Sequence, residues 1–120
     1  MKTFQQVEKM ILVMPAVTKS YPFGEGVAVY KTVAKGEGTV TEAGDTGKIF
    51  AIVDEKSHPV RLSLKCDPQL ATLLREKYES VLPGYHLNKR HWNTIVCSGQ
   101  VDDDELGDLV RHSFELASSN

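Results

Sequence analysis

Val60-Arg61-Leu62-Ser63-Leu64-Lys65-Cys66-Asp67-Pro68 is the stretch that decides the fold. Up to Cys66 its residues alternate one by one. Val60, Leu62, Leu64 and Cys66 share one face and Arg61, Ser63 and Lys65 the other, the period of a strand that buries one side. Asp67-Pro68 then supplies an N-cap carboxylate and a proline at the first helical position, where its missing N–H is no loss. Behind it Leu70, Leu73, Leu74 and Lys77-Tyr78 carry an amphipathic helix to about Glu79. A one-faced strand leading directly into such a helix implies a sheet covered by helices on one side and wet on the other.

The pattern extends in both directions. Upstream, Thr3-x-x-Gln6 forms a capping box, and Phe4, Val7, Met10, Ile11 and Met14 recur at helical spacing until Pro15 ends the helix. Tyr21-Pro22-Phe23-Gly24 reads as a turn whose two aromatic rings cover an end of the core. Val27 to Val33 and Lys48 to Asp54 read as strands. The stretch Ala34 to Gly47 between them holds four glycines and no large apolar residue, so it reads as a long, mobile hairpin connection. Downstream, Gly84 to Leu87 and Trp92 to Cys97 read as strands flanking the polar tip Asn88-Lys89-Arg90-His91. Asp102 opens a third helix, with Glu105 three residues on. Leu106, Leu109, Val110, Ser113 and Phe114 form its buried stripe, and Asp102 to Asp104 favour its positive N-terminal end. The expected architecture is one two-layer α+β domain over residues 1–120, in the order α-β-β-β-α-β-β-α. Its sheet is antiparallel, and its helices pack through Leu73, Leu74, Leu109, Val110 and Phe114.

Composition sets the bounds. A chain of 120 residues is one domain, and 41% hydrophobic with 25% charged residues is globular composition. A net charge of −2 gives no global pull toward nucleic acid or an anionic membrane, so any nucleic-acid role rests on a local patch. No apolar run reaches the ~18 residues of a spanning helix, and the N-terminus lacks a signal core. A cytoplasmic location follows, with Cys66 and Cys97 as reduced, buried thiols; the sequence leaves a disulfide between them open.

The densest chemistry lies in Pro83 to Ile95, which holds two histidines, two fixed cations, two asparagines, a tyrosine and the only tryptophan. Lys89 and Arg90 carry dependable charge, whereas His86 and His91 are mostly neutral at pH 7. With Asn88 they can meet phosphates, while Trp92 or Tyr85 stacks on a base. Arg61 and Lys65 extend this patch if the fold makes them neighbours. The bland alternative is a charged hairpin tip that stays solvated, with Trp92 a core or hinge aromatic. No catalytic residue emerges: the run lacks Ser, Cys, Asp and Glu, and Cys66 and Cys97 read as structural thiols rather than nucleophiles. No metal or cofactor site emerges either. His86 and His91 lack ligand spacing, Asp102 to Glu105 reads as a solvated helix start, and Gly36 to Gly47 lacks the Gly-Lys-Ser/Thr ending of a phosphate loop.

Four motifs carry a family resemblance: Tyr21-Pro22-Phe23-Gly24, Lys48-Ile49-Phe50-Ala51, Leu64-Lys65-Cys66-Asp67-Pro68, and above all Pro83-Gly84-Tyr85-His86-Leu87-Asn88-Lys89-Arg90-His91-Trp92-Asn93-Thr94. Through them the chain resembles the MmcQ/YjbR-like family of small bacterial proteins over nearly its whole length. The resemblance implies a two-layer fold like that of secretion chaperones and a DNA-binding role through a "double wing" surface. The wings would be the hairpin at Asn88 to His91 and the connection at Ala34 to Gly47, which is longer here than is usual in the family. Two function classes result. One is a DNA-binding module acting through a weak, local patch of His86, Asn88, Lys89, Arg90, His91, Trp92, Arg61 and Lys65. The other is a protein-interaction or chaperone-like module without catalytic activity. Neither involves a membrane. A continuous positive stripe favours the first, an exposed apolar patch the second.

Overall fold

The structure, a computed structural model, describes residues 2–32 and 47–118. Its elements are α1 (Phe4–Leu12), β1 (Thr18–Ser20), β2 (Val27–Lys31), β3 (Ile49–Asp54), β4 (Arg61–Lys65), α2 (Pro68–Lys77), β5 (Val81–Pro83), β6 (Trp92–Val96) and α3 (Asp103–Ser118). The strands form one sheet in the order β1-β2-β3-β4-β6-β5, and every neighbouring pair is antiparallel. Helix α3 lies over β3 and β4, α2 over β5 and β6, and α1 against α3. The expected α+β order of helices and antiparallel strands is therefore present, with one strand more. The expected connection at Ala34 to Gly47 lies outside the described residues except for Gly47.

The local signals act as the sequence predicts. Thr3 caps α1 through its hydroxyl, and the Gln6 side chain returns the bond to the Thr3 N–H at 3.0 Å. Asp67 caps α2 by accepting from the N–H groups of Gln69 and Leu70. Asp102 accepts from the Glu105 N–H at 2.9 Å at the start of α3. The ladder sets which residues meet. Ala28, Val53, Leu62, Ile95 and Val81 stand in register and are buried on the helix side. Ser113 sits in the buried stripe of α3 for a reason. The β3–β4 register ends at Ala51 and Leu64. The Ser113 hydroxyl then donates to the Phe50 carbonyl at 2.5 Å and accepts from the Lys65 N–H at 2.8 Å, satisfying backbone groups just past the end of the ladder.

Several expectations are corrected. The strand expected at Gly84 to Leu87 is a turn; β5 lies just upstream at Val81–Pro83. The Gly84 N–H makes a last bond to the Trp92 carbonyl at 2.9 Å, and the Leu87 N–H then folds back on the Gly84 carbonyl. Strand β1 had no sequence signal: all three of its residues are exposed, and only pairing with β2 makes it a strand. Leu73 does not pack in the core but is 60% exposed, because α2 turns Ala71 and Leu74 inward. Tyr21 and Phe23 do not cover the core; both rings are exposed. The helix-free face is not uniformly wet, since Val29, Ser63 and Thr94 on it are buried.

The cysteine question resolves geometrically. Arg61 pairs with Val96 and Lys65 with Trp92, so Cys66 and Cys97 lie past opposite ends of this ladder. At about 3.3 Å per residue they are roughly 15–20 Å apart, beyond disulfide reach. Both are free, and burial pushes each thiol up to about 11. The packing of α2 gives a direct check. Leu74→Ala is expected to lower unfolding stability by about 2–5 kcal/mol, and Leu73→Ala to change it by less than about 0.5, as read by urea denaturation.

Candidate functional site

Residues 84–91, the turn between β5 and β6, are pinned from two sides. Position 84 requires glycine, since a Cβ there would lie 2.7 Å from the Trp92 Cβ. Next to it, the Tyr85 N–H donates to the Thr94 hydroxyl at 3.0 Å. At the far end Arg75 of α2 reaches across. Its Nε donates to the Asn93 Oδ1 at 2.6 Å, and its Nη2 donates to the carbonyls of Lys89 and Trp92. Asn93, buried on the helix side of β6, also donates from Nδ2 to the Ala71 carbonyl at 3.3 Å. Within the turn, Asn88 accepts from the Arg90 N–H, and the Lys89 ammonium donates to the Gly84 carbonyl at 3.2 Å. His86 holds a φ of 59°, a left-handed conformation that costs a non-glycine residue about 1 kcal/mol or more. Its ring packs on Tyr85 at 4.0 Å between centroids.

This turn divides the sequence-derived patch between two surfaces. Tyr85, His86 and Leu87 lean over the helix-free face of the sheet. There they wall a cleft of about 620 Å³ with Phe23, Val27, Ile52, Asp54, Arg61, Ser63 and Thr94. Lys89 and Arg90 face the other way, lining a more open groove with Arg75, Leu73 and neighbouring residues of α2. Arg61 and His86 thus line one cleft, and Lys65 is the ladder partner of Trp92 on the same face. Half-buried Trp92 lies on that face, whereas half-buried His91 stands opposite Cys66, past the end of the ladder, and its carbonyl accepts from the Cys66 N–H. Asn88 serves the turn itself. So Arg61 and His86 share the cleft, Lys65 and Trp92 pair on the same face outside its lining, and Lys89 and Arg90 line the groove beside α2.

The cleft mixes aromatic walls with a polar floor. Phe23 and Tyr85 are 64% and 65% exposed, a large solvated area for two rings on one cleft. On the floor the Ser63 and Thr94 hydroxyls are 2.8 Å apart. Whichever of them donates, one O–H proton of the pair keeps no acceptor among the described residues. Asp54 takes the Lys56 N–H on Oδ1 at 3.1 Å. Arg61, the ladder partner of Asp54, is exposed and forms no ion pair with a described carboxylate. No group of three or more His, Cys, Asp or Glu among the described residues is placed to hold a metal ion.

Phe23, Asp54, Ser63, Thr94 and Arg75 were not singled out as site residues by sequence reasoning. Ser63 and Thr94 had no local signal, because their contact depends on the β4–β6 register. Phe23 did have one, as an aromatic in a Pro-Phe-Gly turn with no helical or strand period to bury it.

Comparisons with known proteins place the chain among relatives. Residues 12–116 match the family model described as YjbR. The uncharacterised protein YbdF of Escherichia coli O157:H7 is 30% identical over 112 residues, covering 93% of this chain and 81% of that protein. The uncharacterised protein YjbR of Escherichia coli K12 is 41% identical over 69 residues, 58% of each chain. A crystal structure of a Deinococcus radiodurans protein, described as a DUF419 domain, superposes with a TM-score of 0.82 at 32% identity, covering 97% of this chain and 78% of that one.

The Arg75 pin makes a prediction of its own. Arg75→Ala leaves the Asn93 carboxamide and two carbonyls short of a donor. It is expected to cost about 1–3 kcal/mol and to speed amide exchange at residues 88–92 while sparing β2 and β3, as read by hydrogen exchange.

Proposed function

The chain belongs to the YjbR family, and we propose that it is a non-catalytic binding module that seats single-stranded nucleic acid on the helix-free face of its sheet. The observation that carries this reading is the cleft between Phe23 and the Tyr85–His86 pair, where two exposed aromatic rings share a lining with paired hydroxyls and with an Arg61 that forms no ion pair among the described residues. Exposed rings at the edge of an open sheet face suit unstacked bases, because every base has a face to stack and the strand's backbone is free to follow the sheet. Lys65 beside Trp92 offers a phosphate contact along the same face.

Charge placement favours single strands over a duplex. A wing entering a groove needs its cations at the tip, whereas the Lys89 ammonium is tied to the Gly84 carbonyl and Lys89 and Arg90 face α2. With a net charge of −2, binding relies on stacking more than on phosphates and is expected to be weak at physiological salt. Leu73, exposed beside Lys89 and Arg90, supports the protein-interaction alternative on the opposite surface.

Fluorescence titrations of a labelled single strand and its duplex decide between these readings. The single strand is expected to bind more tightly. Tyr85→Ala is expected to cost about 1–3 kcal/mol of binding, the worth of one stacked base. Lys65→Ala is expected to make the single-strand salt slope shallower by about 0.7. Tighter duplex binding that is lost in a folded Lys89→Ala, Arg90→Ala double variant would favour the wing instead. Binding to neither nucleic acid at low salt would favour a protein partner.

A further inference from the structure

Resting on the single-strand reading, we propose that the cleft is selective for guanine, read on its base-pairing edge by Asp54 and Arg61. These two residues are direct ladder partners on β3 and β4, so their side chains rise from adjacent points of one face. Both line the cleft. A carboxylate only accepts hydrogen bonds and a guanidinium only donates them. Side by side and not joined in an ion pair, they present acceptor oxygens next to a donor fork.

One base complements that order. The pairing edge of guanine carries the O6 acceptor, then the N1–H and N2–H donors, in a row. Asp54 would take the two donors and Arg61 would serve O6. Adenine and cytosine each set a ring-nitrogen acceptor beside a single amino donor, which would turn a lone pair toward the carboxylate. Thymine flanks its one N–H with two carbonyls, both repelled by Asp54. The carboxylate is also pre-set, because Oδ1 accepts from the Lys56 N–H at 3.1 Å in the turn after β3. Each carboxylate oxygen has two lone-pair sites, so this bond leaves acceptor capacity on both. Tyr85 and Phe23 supply the stacking surface that any base would use, and the polar pair supplies the choice among bases.

The test uses a twelve-nucleotide thymidine strand and three versions with one central dG, dA or dC, titrated against the wild-type chain and Asp54→Asn. Asparagine keeps an acceptor for the Lys56 N–H, so the turn is retained, and a thermal melt of the variant checks the fold. Wild type is expected to bind the dG strand about tenfold more tightly than the other three, the discrimination of a good bidentate contact. Asp54→Asn is expected to lose that preference from both sides, weakening the dG strand and, with the repulsion toward the thymine carbonyls removed, binding the all-thymidine strand no less tightly than wild type. Equal wild-type binding to all four strands would overturn guanine selectivity and leave the single-strand reading standing. A guanine preference that survives in Asp54→Asn would overturn the assignment to Asp54. Binding to none of the four would instead remove the single-strand reading on which the inference rests.

Discussion

The register between β4 and β6 is the constraint on which the rest depends. Ser63 stands opposite Thr94, and Leu64 opposite Asn93. Strand side chains alternate with a period of two, so a one-residue slip of β6 would move Asn93 to the open face and drive Thr94 into the core. Both faces oppose that slip. On the helix side, buried Asn93 is bonded to Arg75 and to the Ala71 carbonyl. On the open side, Thr94 is bonded to Ser63 and to the Tyr85 N–H. A slip would break all four bonds and leave polar groups buried without partners, at about 1–3 kcal/mol each.

The same bonds connect fold to site. Thr94 and Asn93 are adjacent residues facing opposite ways, and each holds one end of the turn at 84–91 in its half of the molecule. Tyr85 and His86 are thereby held over the sheet, while Lys89 and Arg90 are drawn toward α2. The left-handed φ at His86 is the local cost of reversing the chain between these anchors. The outcome is one aromatic cleft on a face that the helices leave uncovered, rather than a single basic tip.

How much of this was legible in the sequence follows from the range of each signal. Helices α1, α2 and α3 begin where Thr3, Asp67 and Asp102 mark them, because capping is decided within four residues. The period of Val60 to Cys66 placed β4. β1 and β5, of three residues each, were missed or misplaced, since both exist through pairing and neither is long enough to show a period. The motifs at Tyr21, Lys48, Leu64 and Pro83 carry the family resemblance, and the match over residues 12–116 agrees with it. Of the residues to which the sequence points, Arg61, Lys65, His86 and Trp92 share a face. Lys89 and Arg90 were expected beside them, yet a turn places neighbouring residues on opposite sides. Ser63, Thr94 and Asp54 carry no such signal, because polar residues on a strand's open face are ordinary until the fold gathers them in one cleft.

Amide chemical shifts of the labelled protein, followed as a guanine-containing single strand is added, test the central claim most directly. The largest changes are expected on Phe23, Ile52, Asp54, Ser63, Tyr85, His86 and Thr94, around one cleft on the helix-free face. Changes confined to α2, Lys89 and Arg90, or no changes at all, would contradict it.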